Sequence, residues 1–305
     1  MKIFCDDVLE NLPMPTPELS LINNAKLKAL AQPVQVIAVT GGKGGVGKTS
    51  VSVNLATALA ARKRVVLLDG DLGLANADVF LGLSPRYTLA HVISGERTLD
   101  EVLIEAPQGF QVVPAASGAA DLACMGAAEH LGLVRAFSSL AAQVDVLIID
   151  TAAGIAHAVL QFAQAAQQVL VVICDEPASL TDGYALIKVL SRNHGVGRFR
   201  VLANRVRSRG AGRELFERFE RVTTRFLDVV LEFAGEIPDD EYVQRSVREQ
   251  RPVCDADPAS SAARAFKKLA EAADTWPVPP GPRGNIEFFV ERLVQRGPAK
   301  LAVVP

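Results

Sequence analysis

The sequence predicts an α/β fold, a doubly wound and mainly parallel sheet flanked by helices. Short runs rich in β-branched residues recur along the chain, and most are apolar at successive positions, as in strands buried on both faces. These runs cover residues 34–40, 64–71, 110–115, 144–150, 169–176 and 199–206. Helical patterns separate them, as over 50–61, 133–143 and 182–193. Alternating strands and helices of this kind build right-handed βαβ units around a parallel sheet.

The composition excludes several classes of protein. The 305 residues are 49% hydrophobic and 22% charged, with a formal net charge of −2, as in an ordinary globular protein. This balance gives no overall attraction to nucleic acid or to an anionic membrane, so binding to either needs a local patch. The four cysteines are widely spaced, at Cys5, Cys124, Cys174 and Cys254. We therefore expect neither a disulfide framework nor a zinc site. The sequence shows no secretory signal and no apolar run of about 18 residues, and we expect a cytoplasmic location.

The chain divides into four predicted regions. Residues 1–33 form an irregular arm, and residues 34–276 form the domain built from strands and helices. Residues 277–284, PVPPGPRG, are typical of a stiff linker, because proline cannot continue a helix. Residues 285–305 form an amphipathic helix and a tail. The apolar stripe of this helix predicts either contact with a membrane surface or docking in a groove of the core, and it comprises Ile286, Phe289, Val290, Leu293 and Val294.

A glycine-rich loop carries the strongest chemical signal. The segment from Gly42 to Thr49 fits the pattern G-x-x-x-x-G-K-[ST] and lies between a predicted buried strand and an amphipathic helix. In such a loop, backbone N–H groups and the helix N-terminus hold phosphate. We expect Lys48 to reach the β- and γ-phosphate oxygens and the Thr49 hydroxyl to bind Mg²⁺. The predicted nucleotide-binding residues of the loop are Gly42, Lys43, Gly44, Gly45, Val46, Gly47, Lys48, Thr49 and Ser50.

Carboxylates follow two of the predicted strands. Asp150 ends the strand of residues 144–150, at the sheet edge where open α/β folds bind ligands, and we expect it to hold Mg²⁺ directly or through water. Asp69 and Asp71 end another strand and face the same way, because they are two residues apart. Asp71 is the candidate for orienting the attacking water, and Asp69 is the candidate for supporting the metal. Capping of strand ends and helix starts is the alternative interpretation of these acids.

Three segments together resemble the deviant Walker A ATPases of the MinD/ParA class. They are the loop with Lys43 at its start, DGDLGLAN (69–76) and DTAAGI (150–155). The resemblance implies ATP and Mg²⁺ as ligands and a homodimer closed over two nucleotides. It also implies that Lys43 reaches the nucleotide of the partner subunit. Within one subunit Lys48 already serves the phosphates, and a second cation buried without a partner would be costly.

The same resemblance implies contacts to the base. Asn204 and Arg205, near the end of the predicted strand of residues 199–206, lie where these ATPases contact adenine, and Pro238 with Asp239 resembles the loop that closes over the base. Asn76 falls in the switch region after Asp71. A strand-end asparagine or a Pro–Asp turn also has many structural uses, so both interpretations stay open.

Other features narrow the choice within the class. The cysteines form no pair suited to a bridging Fe–S cluster, and the C-terminal region has no tyrosine-rich tail of the bacterial tyrosine-kinase type. Seven arginines lie between Arg205 and Arg225, as DNA binding would require, but glutamates alternate with them. Direct DNA binding is therefore not expected, because the glutamates allow favourable i, i+4 pairs, Glu214 with Arg218 and Glu217 with Arg221.

Over residues 34–296 the sequence closely resembles the FleN/FlhG family of MinD-like flagellar-number regulators. Similar stretches include LLDGDLGLANADVFLGL, VLIIDTAAGI and GNIEFFVERLVQ. The resemblance implies a slow ATPase that associates reversibly with the inner membrane through residues 286–296. It implies two partners, a FleQ-type transcription activator that is antagonised and the FlhF GTPase. The family's GTPase-activating motif DQAxxLR is degenerate here, since INNAKLK (22–28) keeps only Leu27 and Lys28.

The sequence leaves two other functions open. The first is a DNA-binding partition ATPase of the ParA type, in which the arginine cluster would be the working surface. The second is an adaptor that binds nucleotide without hydrolysing it. Strong salt dependence of DNA binding would distinguish a partition ATPase from a membrane- or partner-directed switch. Mg²⁺-dependent phosphate release would exclude a non-hydrolysing adaptor.

Overall fold

One eight-stranded sheet organises the molecule. The computed structural model describes residues 33–73, 76–115, 127–279 and 286–290. The strands are β1 (Gln35–Thr40), β2 (Val65–Gly70), β3 (Ile104–Glu105), β4 (Gln111–Val113), β5 (Val146–Thr151), β6 (Gln168–Ile173), β7 (Arg198–Val206) and β8 (Val230–Pro238). Their order is β3-β4-β2-β5-β1-β6-β7-β8, and all neighbours run parallel except β3 and β4. The predicted doubly wound, mainly parallel sheet is confirmed.

The helices begin and end where the sequence provides the signals. They are α1 (Lys48–Ala60), α2 (Ala77–Leu81), α3 (Leu89–Ile93), α4 (Leu99–Val102), α5 (Ala127–Ser138), α6 (His157–Ala165), α7 (Pro177–His194), α8 (Ala211–Phe226), α9 (Glu241–Arg248), α10 (Val253–Ala256) and α11 (Ser261–Asp274). Pro177 opens α7, where its missing N–H costs nothing, and Gly195 ends α7 in the left-handed conformation. None of the described helices combines the length and the apolar character that crossing a bilayer requires.

The apolar core lies in layers on both faces of the sheet. In β1, Ile37 and Val39 belong to the layer shared with α1 and α11, whereas Val36 and Ala38 belong to the opposite layer. Every residue of β1 is buried, because alternate side chains serve different layers. This double burial explains why the strands appear in the sequence as continuous apolar runs.

Two strands were not among the six predicted from the sequence. β3 has only two residues and is the antiparallel strand at one end of the sheet. β8 lies at the other end and contains Glu232, Gly235 and Glu236, so it lacks a continuous apolar run. Its residues 232–236 are only partly buried. An edge strand has one pairing neighbour instead of two, which explains this weaker pattern.

The arginine cluster differs from its predicted arrangement. The expected pairing of Arg218 with Glu214 is wrong, because Arg218 donates instead to Asp175, in the loop after β6, at 2.7 Å. Helix α8 begins only at Ala211, so Arg207 and Arg209 lie in the preceding loop and are not on a salt-bridged helix face. The sheet order places that helix beside the end of β6, which sequence spacing alone does not show.

The start of the predicted C-terminal helix also differs. Residues 286–289 are not helical, and helical conformation begins at Val290. Phe288 and Phe289 are both buried, whereas Ile286 is 38% exposed, so Ile286 and Phe289 do not share one helix face. The Phe137 ring of α5 contacts both, with centroids 5.2 and 6.4 Å away. Adjacent side chains of a helix point about 100° apart, so burying two neighbouring rings together favours a turn.

Parts of the predicted domain organisation lie outside the described residues. These parts are the arm up to residue 32, linker residues 280–284, residue 285, and the C-terminal segment from residue 291 onward. Of the linker, Pro277 is tied to the core, since its carbonyl accepts a hydrogen bond from Gln168 Nε2 at 2.7 Å. The four-region division of the chain stays a prediction.

Candidate functional site

The glycine-rich loop joins β1 to α1 at the carboxyl edge of the sheet. Gly45 and Gly47 have φ values of 79° and 90°, which favour glycine. Gly42 packs so closely on α7 that an added Cβ would lie 2.1 Å from the Asp182 carbonyl. An added Cβ at Gly44 would meet no atom within 4 Å. The loop therefore packs on α7 at Gly42, while its backbone at Gly44 is open to the surroundings, as phosphate binding requires.

Lys48 and Asp150 form the buried polar centre of the site. Lys48 is 9% exposed, and burial lowers its pKa while Asp150 and Asp71 oppose that change. Asp150, in β5, is 1% exposed. Burial raises its pKa to about 6, although Thr49 and Ser52 donate hydrogen bonds to it, the latter at 2.9 Å. The structure thus brings together the lysine predicted for phosphate and the hydroxyl–carboxylate pair predicted for Mg²⁺.

Asp69 organises the loop after β2. Its Oδ1 accepts from Asp71 N at 3.1 Å, and its Oδ2 accepts from Asn76 N at 2.9 Å and Ala77 N at 3.0 Å. Burial, and secondarily Asp150 on the neighbouring strand, raises the pKa of Asp69 to about 7. Both carboxylate oxygens already accept backbone N–H groups, which favours the capping interpretation. Support of the metal by Asp69 stays a prediction.

Lys43 has a partner within its own chain. Its Nζ lies 2.5 Å from Oε2 of Glu176, the residue before α7, and the two side chains are 36% and 46% exposed. The hydrogen bond raises the pKa of Lys43 and lowers that of Glu176. The sequence argument that Lys43 lacks a partner in one subunit is wrong, because the sheet brings Glu176 to the loop from 133 residues away. Lys43 is not among the residues that line the cleft above Lys48.

Asn204 forms a hydrogen bond with the backbone of the phosphate loop. Its Nδ2 donates to the carbonyl of Val46 at 2.7 Å, and the residue is 6% exposed. Arg205 follows with φ 57° and an exposed side chain. The pairing of β7 with β8 brings Pro238 and Asp239 to the same sheet edge. The structural use of Asn204 is therefore present, and contact of these four residues with adenine stays a prediction.

The cleft fits a magnesium-bound nucleotide. It encloses about 500 Å³ and is lined by the loop together with Lys48, Asp71 and Asn76. The Ser50 hydroxyl, in the first turn of α1, is buried and has no hydrogen-bond partner among the described residues, so it can serve a phosphate oxygen. Mg²⁺ prefers oxygen ligands, commonly one or two protein groups plus phosphate, and Thr49 with Asp150 offers such a set. Asp71 accepts from Asn76 Nδ2 at 3.4 Å at the cleft mouth.

Two contributors to the site were missed from the sequence. Glu176 pairs with Lys43, and Ser52 donates to Asp150. A signal for Glu176 exists, since an acid after a buried strand and before a helix-opening proline lies at the ligand-binding edge. Ser52 gives no such signal, because a serine inside a helix is ordinary.

These features define the class of the molecule, a nucleotide-binding protein with a P-loop. Residues 37–253 match the model of the CobQ/CobB/MinD/ParA nucleotide-binding domain. The match covers well over half of the chain, so the protein belongs to this family.

Comparison with curated proteins confirms the resemblance to FleN/FlhG regulators. The chain is 58% identical to the antiactivator FleN of Pseudomonas aeruginosa over 86% of this chain and 94% of that protein. It is 34% identical to the flagellum site-determining protein YlxH of Helicobacter pylori, over 70% of this chain and 73% of that protein. Both alignments span most of each chain, so the similarity extends beyond the nucleotide motifs.

Solved structures confirm the fold. The cell-division ATPase MinD of Pyrococcus furiosus is 27% identical, with a TM-score of 0.65 over 79% of this chain and 98% of that chain. The septum site-determining protein MinD of Pyrococcus horikoshii, solved with Mg-ADP, is also 27% identical, with a TM-score of 0.65 over 79% and 96% of the two chains. The predicted MinD-like architecture is correct.

Proposed function

We propose that this protein is a MinD-type ATPase switch that controls flagellar number or placement. One observation carries the proposal. Lys48, Thr49 and Asp71 line one cleft in a chain 58% identical to FleN, and Thr49 donates a hydrogen bond to the buried Asp150. Of the two flagellar relatives, one is named an antiactivator and the other a site-determining protein. A nucleotide-dependent switch acting on a partner accounts for both names.

Each residue of the cleft has a distinct chemical task. Lys48 and the loop N–H groups hold the β- and γ-phosphates of ATP, and Thr49 with Asp150 holds Mg²⁺. When bound, Mg²⁺ neutralises charge on the phosphate oxygens. Asp71, at the cleft mouth, orients a water molecule toward the γ-phosphorus, and hydrolysis yields ADP and phosphate. We expect turnover to be slow, because the reaction serves as a timer.

The surface around the cleft suits a second copy of the chain. Val79, Ile155 and Val247 are 60%, 51% and 41% exposed, and Val79 and Val247 line the cleft itself. An exposed apolar rim around a polar site favours burial against a partner. In the ATP-bound homodimer, Lys43 leaves Glu176 and places its charge at the partner subunit's nucleotide. Hydrolysis then removes the γ-phosphate and the dimer separates.

The dimer is the form that acts on partners. We propose that it antagonises a FleQ-type transcription activator, works with the FlhF GTPase and associates with the inner membrane through residues 286–296. The protein is then cytoplasmic with reversible peripheral membrane association. Residues 286–296 contain two glutamates and two arginines and so carry no net charge, and membrane affinity therefore requires two copies.

Three substitutions test the cycle by phosphate release and sedimentation velocity. Asp71→Ala retains ATP and accumulates as a dimer without releasing phosphate. Lys43→Ala binds ATP but stays monomeric, and Lys48→Ala loses nucleotide binding or hydrolysis. The hypothesis fails if Asp71→Ala hydrolyses ATP at the parental rate, or if the ATP-loaded parent is strictly monomeric and unaffected by Lys43→Ala.

A DNA-binding ParA-type partition ATPase is the second candidate. It is favoured by one observation, the exposure of Arg207 and Arg209 in a loop before α8. Titration of duplex DNA at several salt concentrations separates the candidates. A steep loss of affinity with salt that disappears in Arg207→Ala/Arg209→Ala would support the DNA-binding function.

A further inference from the structure

A groove lies along the outer edge of β8, and its lining shares no residue with the cleft above Lys48, although it includes Pro238, a predicted base contact. β8 is the last strand of the sheet, and no strand of the described residues pairs with its outer edge. Helices α8 and α11 both pack on β8 and leave a space of about 940 Å³ between them. The floor of this groove is β8 from Phe233 to Pro238, with one wall from the start of α8 and the other from α11.

Both walls are positively charged. The groove is lined by five exposed cations, Arg207, Arg209, Arg213, Arg264 and Lys268. Glu236 is the one acid among the lining residues, and it is already engaged, accepting from Gly210 N at 3.0 Å and Gly212 N at 2.9 Å. None of the five cations forms an ion pair with another residue that the structure describes. The groove therefore attracts negative charge.

The floor adds apolar surface and strand backbone. Phe233 and Ala234 are partly buried there, and the Arg213 guanidinium lies 4.4 Å from the centre of the Phe233 ring. A strand edge presents backbone N–H and C=O groups at the spacing of another strand. Polypeptide can use the apolar floor and these groups together with the charged walls. Duplex DNA can use only the charge, so the floor favours a polypeptide.

We propose that this groove binds an extended acidic segment of a partner protein, which adds a strand to the edge of β8. Side chains of an added strand alternate between its two faces, one toward α8 and one toward α11. Both faces meet cations, so carboxylates at odd and even positions are neutralised. Apolar side chains between them contact Phe233 or Leu269. Peptide binding at this groove does not require ATP hydrolysis, so its test is independent of the test of the proposed ATPase cycle.

The test uses the full chain without nucleotide and a fluorescent octapeptide, Glu-Glu-Val-Val-Glu-Glu-Val-Val, which places both residue types on each face. We expect saturable binding by fluorescence anisotropy that weakens with salt. We expect charge reversal in either wall to weaken peptide binding about tenfold or more. The variants are Arg264→Glu/Lys268→Glu in the α11 wall and Arg209→Glu in the opposite wall. Arg221→Glu, an exposed charge reversal on α8 that does not line the groove, leaves affinity within about twofold. Thermal unfolding confirms that each variant is folded.

Two further probes decide what kind of partner the groove takes. The same octapeptide with alternate backbone nitrogens methylated keeps its charge but loses the strand hydrogen bonds, and we expect it to bind far more weakly. A labelled duplex DNA is expected not to compete. The proposal is overturned by absence of saturable peptide binding, by equal affinity after methylation, or by wall variants that bind like the parent. It is also overturned if DNA displaces the peptide, which would make the groove a polyanion site.

Discussion

Asp150 is a carboxylate that the fold holds in an unfavourable environment. Burial raises its pKa from 3.8 to about 6, so the folded protein binds its proton more tightly than the unfolded chain does. The contribution of this group to the free energy of unfolding therefore falls as pH rises from about 4 to about 6, and it is constant above about 7. The difference between the two pKa values corresponds to about 3 kcal/mol. The proposed function gives a reason for this cost, because the ionised carboxylate is the form that would hold Mg²⁺.

Asp150→Asn should therefore stabilise the nucleotide-free protein while abolishing its activity. Asparagine keeps an oxygen that can accept from Ser52 but carries no charge to desolvate. We expect the stability gain to be about 1–2 kcal/mol larger at pH 8 than at pH 4.5. Urea unfolding of parent and variant at both pH values measures it. A gain that is equal at the two pH values, or a loss at pH 8, would contradict the buried-charge explanation.

The residues of the site are predictable from sequence, but their partners are not. The loop, Lys48 and Asp150 are found because local spacing and strand ends determine their position. Glu176 was missed because it meets Lys43 only when β6 lies beside β1 in the sheet. The contact of Asn204 with Val46 likewise joins residues 158 positions apart. Such pairs follow from the order of strands, which the sequence pattern leaves undetermined.

Asp240 joins two helices with one carboxylate. It caps α9 by accepting from Tyr242 N at 3.1 Å, and it also accepts from Ser261 Oγ at 2.6 Å and Ala262 N at 3.0 Å in α11. Two helix starts are thereby fixed to the end of β8, directly after Asp239. The base-binding role predicted for Asp239 thus lies next to a structural anchor.

Asp240→Ala should lower the free energy of unfolding, whereas the same substitution at Asp239 should not. Losing the α9 cap and the contacts to α11 should cost about 1–2 kcal/mol, because the freed N–H groups lose an acceptor. Asp239→Ala, the matched control, should leave the free energy of unfolding unchanged and weaken nucleotide binding. Chemical denaturation and nucleotide titration of both variants measure the two effects. Equal destabilisation of the two variants would contradict this division of roles.

Strands in the interior of the sheet are easier to predict from sequence than strands at its edges. β1 and β5 lie in its interior, are buried throughout and appear in the sequence as unbroken apolar runs. β8 contains polar residues and a glycine with φ 142°, and it is a strand because β7 and the flanking helices hold it. Tertiary contacts, more than intrinsic preference, form such an edge strand.

The described part of the C-terminal segment is attached to the core. Phe288 and Phe289 are 0% and 1% exposed and belong to the apolar layer that contains Phe137 of α5. The same layer includes Leu68 and Leu72, which flank the Asp69–Asp71 segment of the nucleotide site. A change at the cleft and the release of the C-terminal segment can therefore be coupled through one packed layer.

Phe288→Ala should release the C-terminal segment without nucleotide. Phe288 is outside the predicted membrane stripe, so the variant keeps the residues predicted to face lipid but loses a buried ring that anchors the segment. We expect more nucleotide-free protein to float with anionic liposomes than for the parent. Phe226→Ala removes a ring that is 59% exposed and should float like the parent. A Phe288→Ala protein that is folded and binds ATP, yet floats no more than the parent, would show that this anchor does not restrain membrane association.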